Sequence, residues 1–159
     1  MELVTLSLLE RLLNERQVAV SHQSETEQLL VQFQIRGLVY PLFIRMAEGG
    51  DYVQLLIFIP LTLKVDKLDQ IARLLHYMNK EVAQPGFCVD ELHQLLFYRL
   101  MVPTTRGSLD GELFLKLVEG CKMAAEHATG PIAAVNSGQL SLRQFIERME
   151  KSKQSPSHG

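Results

Sequence analysis

The chain has 159 residues, 47% hydrophobic and 21% charged, with a formal net charge of −2. That length and balance suit one globular domain with a sizeable core and exclude a disordered chain. The near-neutral charge argues against a dedicated nucleic-acid binder, and no apolar run approaches the roughly 20 residues that span a bilayer, so neither nucleic acid nor membrane insertion is expected.

From Met1 to Arg16, Leu3, Leu6, Leu9 and Leu13, widened by Leu8 and Leu12, recur at helical spacing. The polar residues around them are mixed in sign, so this first helix is expected to pack on a sheet and not to lie on a membrane. Val18 to Val20 reads as the start of a short strand, and Ser21 to Gln28 as a polar loop or turn.

Three strands follow between Leu29 and Pro60. Leu29, Val31, Phe33 and Ile35 alternate with Gln32, Gln34 and Arg36, a strand with one wet face. From Leu38 to Ala47 both faces are apolar, with Tyr40, Leu42, Ile44 and Met46 on one and Val39, Phe43 and Ala47 on the other. From Val53 to Pro60 the same holds, Leu56 and Phe58 opposing Val53, Leu55, Ile57 and Ile59. Turns at Gly37 and at Glu48 to Asp51 make an antiparallel meander, with Pro41 an awkward ladder residue that suits an edge or a break in register. A strand apolar on both sides needs covering on both sides, by helices, a second protomer or a bound polypeptide.

The period changes after Pro60. Leu68, Ile71, Ala72, Leu75 and Met78 define a helix from Asp66, a plausible N-cap, to about Val82, and Leu74 and Tyr77 widen its apolar stripe. Pro85 and Gly86 end it. Phe87 and Val89 begin a second strand pair, turned at Glu91 to His93 and continued from Gln94 to Pro103, where Leu95, Phe97, Arg99 and Met101 alternate with Leu96, Tyr98, Leu100 and Val102. Ser108 can cap a third helix that should end near Thr129, where Gly130 and Pro131 punctuate. Ile132 to Gln139 reads as a connection, Ser141 with Gln144 as a capping box opening a short appended helix, and residues 152–159 as a frayed tail. The expected division is 1–130 domain, 131–151 linker and appended helix, 152–159 tail.

Catalytic and metal chemistry find little to work with. Cys88, Asp90 and His93 contain the residue types of a thiol nucleophile with base and orienting acceptor, but they flank a tight hairpin and carry no family signature, so a structural role is expected. His22, His76, His93 and His127 show no HExxH or other helical ligand spacing. No metal, cofactor or catalytic residue is assigned, and the protein is expected not to be an enzyme. Cys88 and Cys121 are isolated, which fits a reducing cytoplasm.

The element order α-β-β-β-α-β-β-α over most of Met1 to Thr129 defines an α+β fold class. It resembles the type III secretion chaperone-like fold, including the YbjN family. The run Leu74, Leu75, His76, Tyr77, Met78 and Asn79, then Gly86, Phe87, Val89 and Asp90, then Phe97, Tyr98 and Arg99 to Pro103, looks like the YbjN pattern of helix-ending asparagine, Gly-x-Phe strand and polar return strand. Two departures are the weaker acidity of the chain and the segment from Ile132 onward.

The resemblance implies a small, homodimeric cytoplasmic chaperone that binds an extended segment of a secreted effector polypeptide, with a YbjN-like regulatory or adaptor role without secretion as the alternative and a small-molecule enzyme as the third reading. Peptide-facing candidates are Val39, Phe43, Leu56 and Phe58, together with the first helix. Dimer candidates are Leu74, Tyr77, Leu95 and Phe97. For each of these residues plain core is the competing reading.

Overall fold

The computed structural model describes residues 2–154. Its helices are α1 (Leu6–Glu15), α2 (Leu68–Glu81), α3 (Gly111–Asn136) and α4 (Leu142–Gln154). Its strands are β1 (Ser21–Gln23), β2 (Gln28–Ile35), β3 (Leu38–Ala47), β4 (Tyr52–Ile59), β5 (Phe87–Asp90) and β6 (Leu95–Pro103). All six strands join one antiparallel sheet in the order β1-β2-β3-β4-β6-β5. The fold is α+β, as the element order implies.

Alternation decides which side of the sheet the helices cover. Leu29 and Val31, Tyr40, Leu42 and Ile44, Val53, Leu55, Ile57 and Ile59, and Leu96, Tyr98, Leu100 and Val102 are all buried and form one core with Leu9, Leu13, Ile71, Leu74, Phe114 and Val118 from the helices. Removing this much aliphatic surface from water is the main stabilising term, on the order of 1.5–3 kcal/mol per fully buried large side chain. The hydroxyl of Tyr40 fixes α3 on the sheet. It lies 2.8 Å from the Thr129 hydroxyl, which itself donates to the Ala125 carbonyl, so Tyr40 is the donor.

Turn chemistry closes the meander. Arg36 and Gly37 both have positive φ (51° and 80°), the two-residue turn whose twist matches that of paired strands. Pro41 sits inside an unbroken β3, because the β4 ladder begins only at Leu42. From Leu38 to Pro41, β3 is locally an edge strand, which tolerates a residue without an N–H.

Several expected boundaries move, each for a local reason. Thr5 caps α1, its hydroxyl accepting from the Leu8 amide at 3.1 Å, so the helix starts later than Met1. The expected loop at Ser21 to Gln28 contains β1, paired to the start of β2. Asp66 falls in a short 3-10 turn, Val65–Lys67, and does not cap α2. Asp110, not Ser108, caps α3, accepting from the Leu113 amide at 2.9 Å.

The largest change is at Gly130 and Pro131, where α3 continues to Asn136. An interior proline costs about 3 kcal/mol. Ile132 and Val135, both fully buried, offset that. Asn136 adds two bonds to the loop after β4, donating to the Thr62 carbonyl at 2.9 Å and accepting from the Lys64 amide at 2.8 Å. The boundary expected after residue 130 therefore falls inside a helix. The capping box does form: Ser141 Oγ accepts from the Gln144 amide at 3.0 Å and Gln144 Oε1 accepts from the Ser141 amide at 2.9 Å. Ser152 to Gln154 belong to α4, and the rest of the expected tail, 155–159, lies outside the described residues.

Candidate functional site

The second face of the sheet has no helix on it. Phe43 of β3, Leu56 and Phe58 of β4 and Phe97 of β6 are half-buried and stand outside the core cluster. Register brings them together. Leu30, Phe43, Leu56 and Arg99 face one another across four strands, and Phe58, Phe97 and Cys88 across three. Phe43 and Phe58 meet edge to face with centroids 5.8 Å apart, and Phe58 and Phe97 likewise at 6.0 Å. Such pairs contribute about 0.5–1.5 kcal/mol beyond their buried area, which keeps an aromatic row ordered without a cover. Val39, Leu95, Met101 and Tyr52 extend the apolar surface outward, at 41%, 44%, 40% and 37% exposure. A hollow of about 270 Å³ lies among Gln28, Phe43, Arg45, Gln54, Leu56 and Phe58.

The charges on this face are one-sided. Arg45 and Arg99 are exposed, and neither pairs with a carboxylate among the described residues. The acid that alternation brings to the same face, Asp90, is already engaged. Its Oδ2 lies 2.9 Å from His93 Nδ1 and its Oδ1 accepts the His93 amide at 3.1 Å. The hydrogen bond from the His93 side chain, followed by that from its amide, holds the Asp90 carboxyl below the usual range. That contact also occupies Nδ1 of the histidine, and the thiol of Cys88, which lies opposite Phe97, has no hydrogen bond among the described residues. The Cys-Asp-His set is a hairpin brace.

The sequence-predicted residues divide into two groups. Val39, Phe43, Leu56, Phe58, Leu95 and Phe97 all reach the open face. Leu74 and Tyr77, expected as surface residues for a dimer, do not: Leu74 is fully buried and Tyr77 is 8% exposed. Leu74 belongs to the core cluster, and Tyr77 is covered by α4, which lies across α2. Phe145 packs edge to face on Tyr77 at 6.0 Å, and the Tyr77 hydroxyl donates to Glu150 at 2.7 Å. The apolar side of α1 likewise turns inward through Leu9 and Leu13. Arg45 and Arg99 were missed as site residues, although alternation already places them beside Phe43 and Phe97.

Among the described residues no group of three His, Cys, Asp or Glu could hold a metal ion, and no helix is long and apolar enough to cross a membrane. Fold and surface together define a two-layer α+β protein with one sheet face left bare and flanked by arginines. The chain belongs to the YbjN family, which it matches over residues 5–127 and whose description is "Putative bacterial sensory transduction regulator". That description is of a regulator and names no reaction. No curated protein matches the chain. The matched stretch ends inside α3, so the end of α3 and all of α4 lie beyond it.

Proposed function

We propose that the chain is a non-enzymatic regulatory adaptor of the cytoplasm that binds another polypeptide on the open face of its sheet. The observation that carries this reading is the row Phe43, Phe58 and Phe97, apolar, ordered and outside the core. An uncovered apolar surface of this kind is characteristic of a partner site. The main-chain groups of β4, at the centre of this face, are paired on both sides from Tyr52 to Ile57, so a partner lying over Leu56 and Phe58 is held by side chains, which suits an amphipathic helix better than an added strand.

The unpaired Arg45 and Arg99 give the partner its charge. Arg45 faces Gln54 and then Met101, while Arg99 lies two residues before Met101 on β6. Strand spacing puts their Cα atoms about 12 Å apart, the rise of roughly eight helical residues. An acidic amphipathic helix meets both. A second copy of the chain would bring its own arginines to the same face, so the homodimer is the second reading, supported by the element order that resembles dimeric secretion chaperones and by the exposure of Leu95.

Native mass spectrometry of the gently purified protein tests the proposal, with Phe58→Asp and the pair Arg45→Glu, Arg99→Glu as variants. The expected result is a chain carrying one polypeptide, lost in both variants while the unfolding midpoint is kept. A bare homodimer broken by Phe97→Asp would move the assignment to the second reading. Unfolding of Phe58→Asp would show that the face is structural, and the adaptor reading would fall.

A further inference from the structure

On the helical side of the molecule, away from the open sheet face, α2, α3 and α4 line an open-mouthed cavity of about 550 Å³. That is within the roughly 300–1,000 Å³ of small-molecule sites. We propose that it binds a small, largely apolar molecule, uncharged along its buried length.

The argument begins with the cavity walls. The early part of α3 fills its side of the core with Phe114 and Val118, but where it passes under α4 it presents Ala124, Ala128 and Pro131 to the cavity. The opposite side is made by Phe145 and Met149 of α4 and Met78 of α2, and the floor by Phe87 and Tyr98. Alanines opposite flexible methionines leave a space that neither helix fills, and methionine lets one wall adjust to an occupant.

The polar groups nearby restrict the occupant's chemistry. The Tyr77 hydroxyl donates to Glu150 and the Tyr98 hydroxyl to the Gln84 carbonyl at 2.8 Å, so both phenols in the lining are already satisfied. Glu81, the acid in the lining, is held by Lys80 at 2.6 Å and Lys153 at 2.7 Å. Beyond the exposed His127 and Gln84 side chains, a charged group pushed against the apolar walls would find no partner and carry a desolvation cost. Pro131 has no N–H for the His127 carbonyl four residues earlier, and both residues line the cavity. The exposed side chains of His127 and Gln84 are the lining groups that can meet a single hydroxyl on the ligand.

The cavity depends on α4, which the family match does not reach. An occupant would bridge α4 to α2 and α3, so binding stabilises the seated position of α4 and gives the regulator a chemical input separate from its partner surface.

Fluorescence titration of the full chain with N-phenyl-naphthylamine tests this directly. Saturable binding is expected. Ala128→Phe, which fills the cavity from a buried position, and Ala124→Phe, which fills it from a half-buried one, should each weaken binding by about tenfold or more. Phe58→Asp, on the open sheet face, should leave it unchanged. Thermal unfolding of each variant guards against global loss, and Ala124→Phe keeps the test valid if Ala128→Phe does not fold. Dodecanol and naphthol then compete for the probe: displacement by the first marks a chain-shaped occupant and by the second a ring. No saturable binding, binding indifferent to both alanine variants, binding lost in Phe58→Asp, or displacement by neither alcohol would each overturn the proposal.

Discussion

Asn79, near the end of α2, reaches across the loop and holds Gly86 at the entry to β5. Its Oδ1 accepts from the amides of Gly86 and Phe87 at 3.0 and 2.9 Å, and its Nδ2 donates to the Phe87 carbonyl at 2.9 Å. The two positions need each other. Gly86 lies so close to β6 that a Cβ would stand 2.3 Å from the Arg99 carbonyl oxygen, while its own carbonyl accepts the Arg99 amide at 3.0 Å.

Replacing Asn79 by Ala should therefore destabilise the chain by about 2–4 kcal/mol, since two amides and a carbonyl lose their partner in a half-buried site. Gly86→Ala should be at least as damaging, because backbone rather than a flexible side chain must yield. Urea unfolding measures both. A loss under about 0.5 kcal/mol in either would mean that the α2–β5 corner is held by other contacts.

Leu55 and Leu56 are neighbours in β4 that point to opposite faces, one fully buried and the other half-buried on the bare face. Leu55→Asp places an unpaired charge in the core and is expected to abolish folding. Leu56→Asp is expected to keep a cooperative transition and most of the native stability. Circular dichroism with thermal melting distinguishes them, and equal damage by both would show that the second face is covered.

How far the sequence discloses the fold depends on where the decisive contact lies. Strand alternation and the Ser141–Gln144 box are set by neighbours a few residues apart, so β2, β3, β4, β6 and the start of α4 were legible, as were six residues of the open face. The end of α3 was not, because Gly130 and Pro131 are local stop signals overruled by the burial of Ile132 and Val135 and by Asn136 reaching residues 62 and 64. Tyr77 was misplaced for the same reason. Its apolar flank is visible in the sequence, but the helix that covers it begins only at Leu142.

Alkaline pH should unfold the chain through two groups. Burial pushes the Cys121 thiol from 9.0 up to about 12, and burial, followed by the nearby Cys121, pushes Tyr98 from 10.0 up to about 12. In the unfolded chain both lose their protons earlier, so above pH 9.0 the folded state binds more protons and stability falls as pH rises, most of it before pH 12. Urea midpoints measured at successive pH values should decline from about pH 9.0, and in Cys121→Ala the decline should begin nearer pH 10.0. A flat profile across that window would contradict burial of the two groups.

The seating of α4 should weaken in acid. The hydrogen bond from Tyr77, followed by that from Lys153, holds the Glu150 carboxyl below its ordinary 4.5, and Lys153 followed by Lys80 does the same for Glu81. Groups with depressed values add stability above the unfolded value and lose it as pH falls through the folded one. Hydrogen exchange of α4 amides should therefore speed up below pH 4.5 before the sheet amides respond. Tyr77→Phe should reduce that pH dependence while keeping the ring contact with Phe145. Simultaneous loss of protection in α4 and β4 would show that α4 does not open separately.

Pro131→Ala is expected to stabilise the protein. The proline interrupts the backbone ladder of α3, and alanine restores an N–H opposite the His127 carbonyl, against a small opposing gain in unfolded-chain freedom; the balance is about 2 kcal/mol in favour of folding. The melting temperature followed by circular dichroism should rise. A lower melting temperature would mean that the ring is needed to pack against α4.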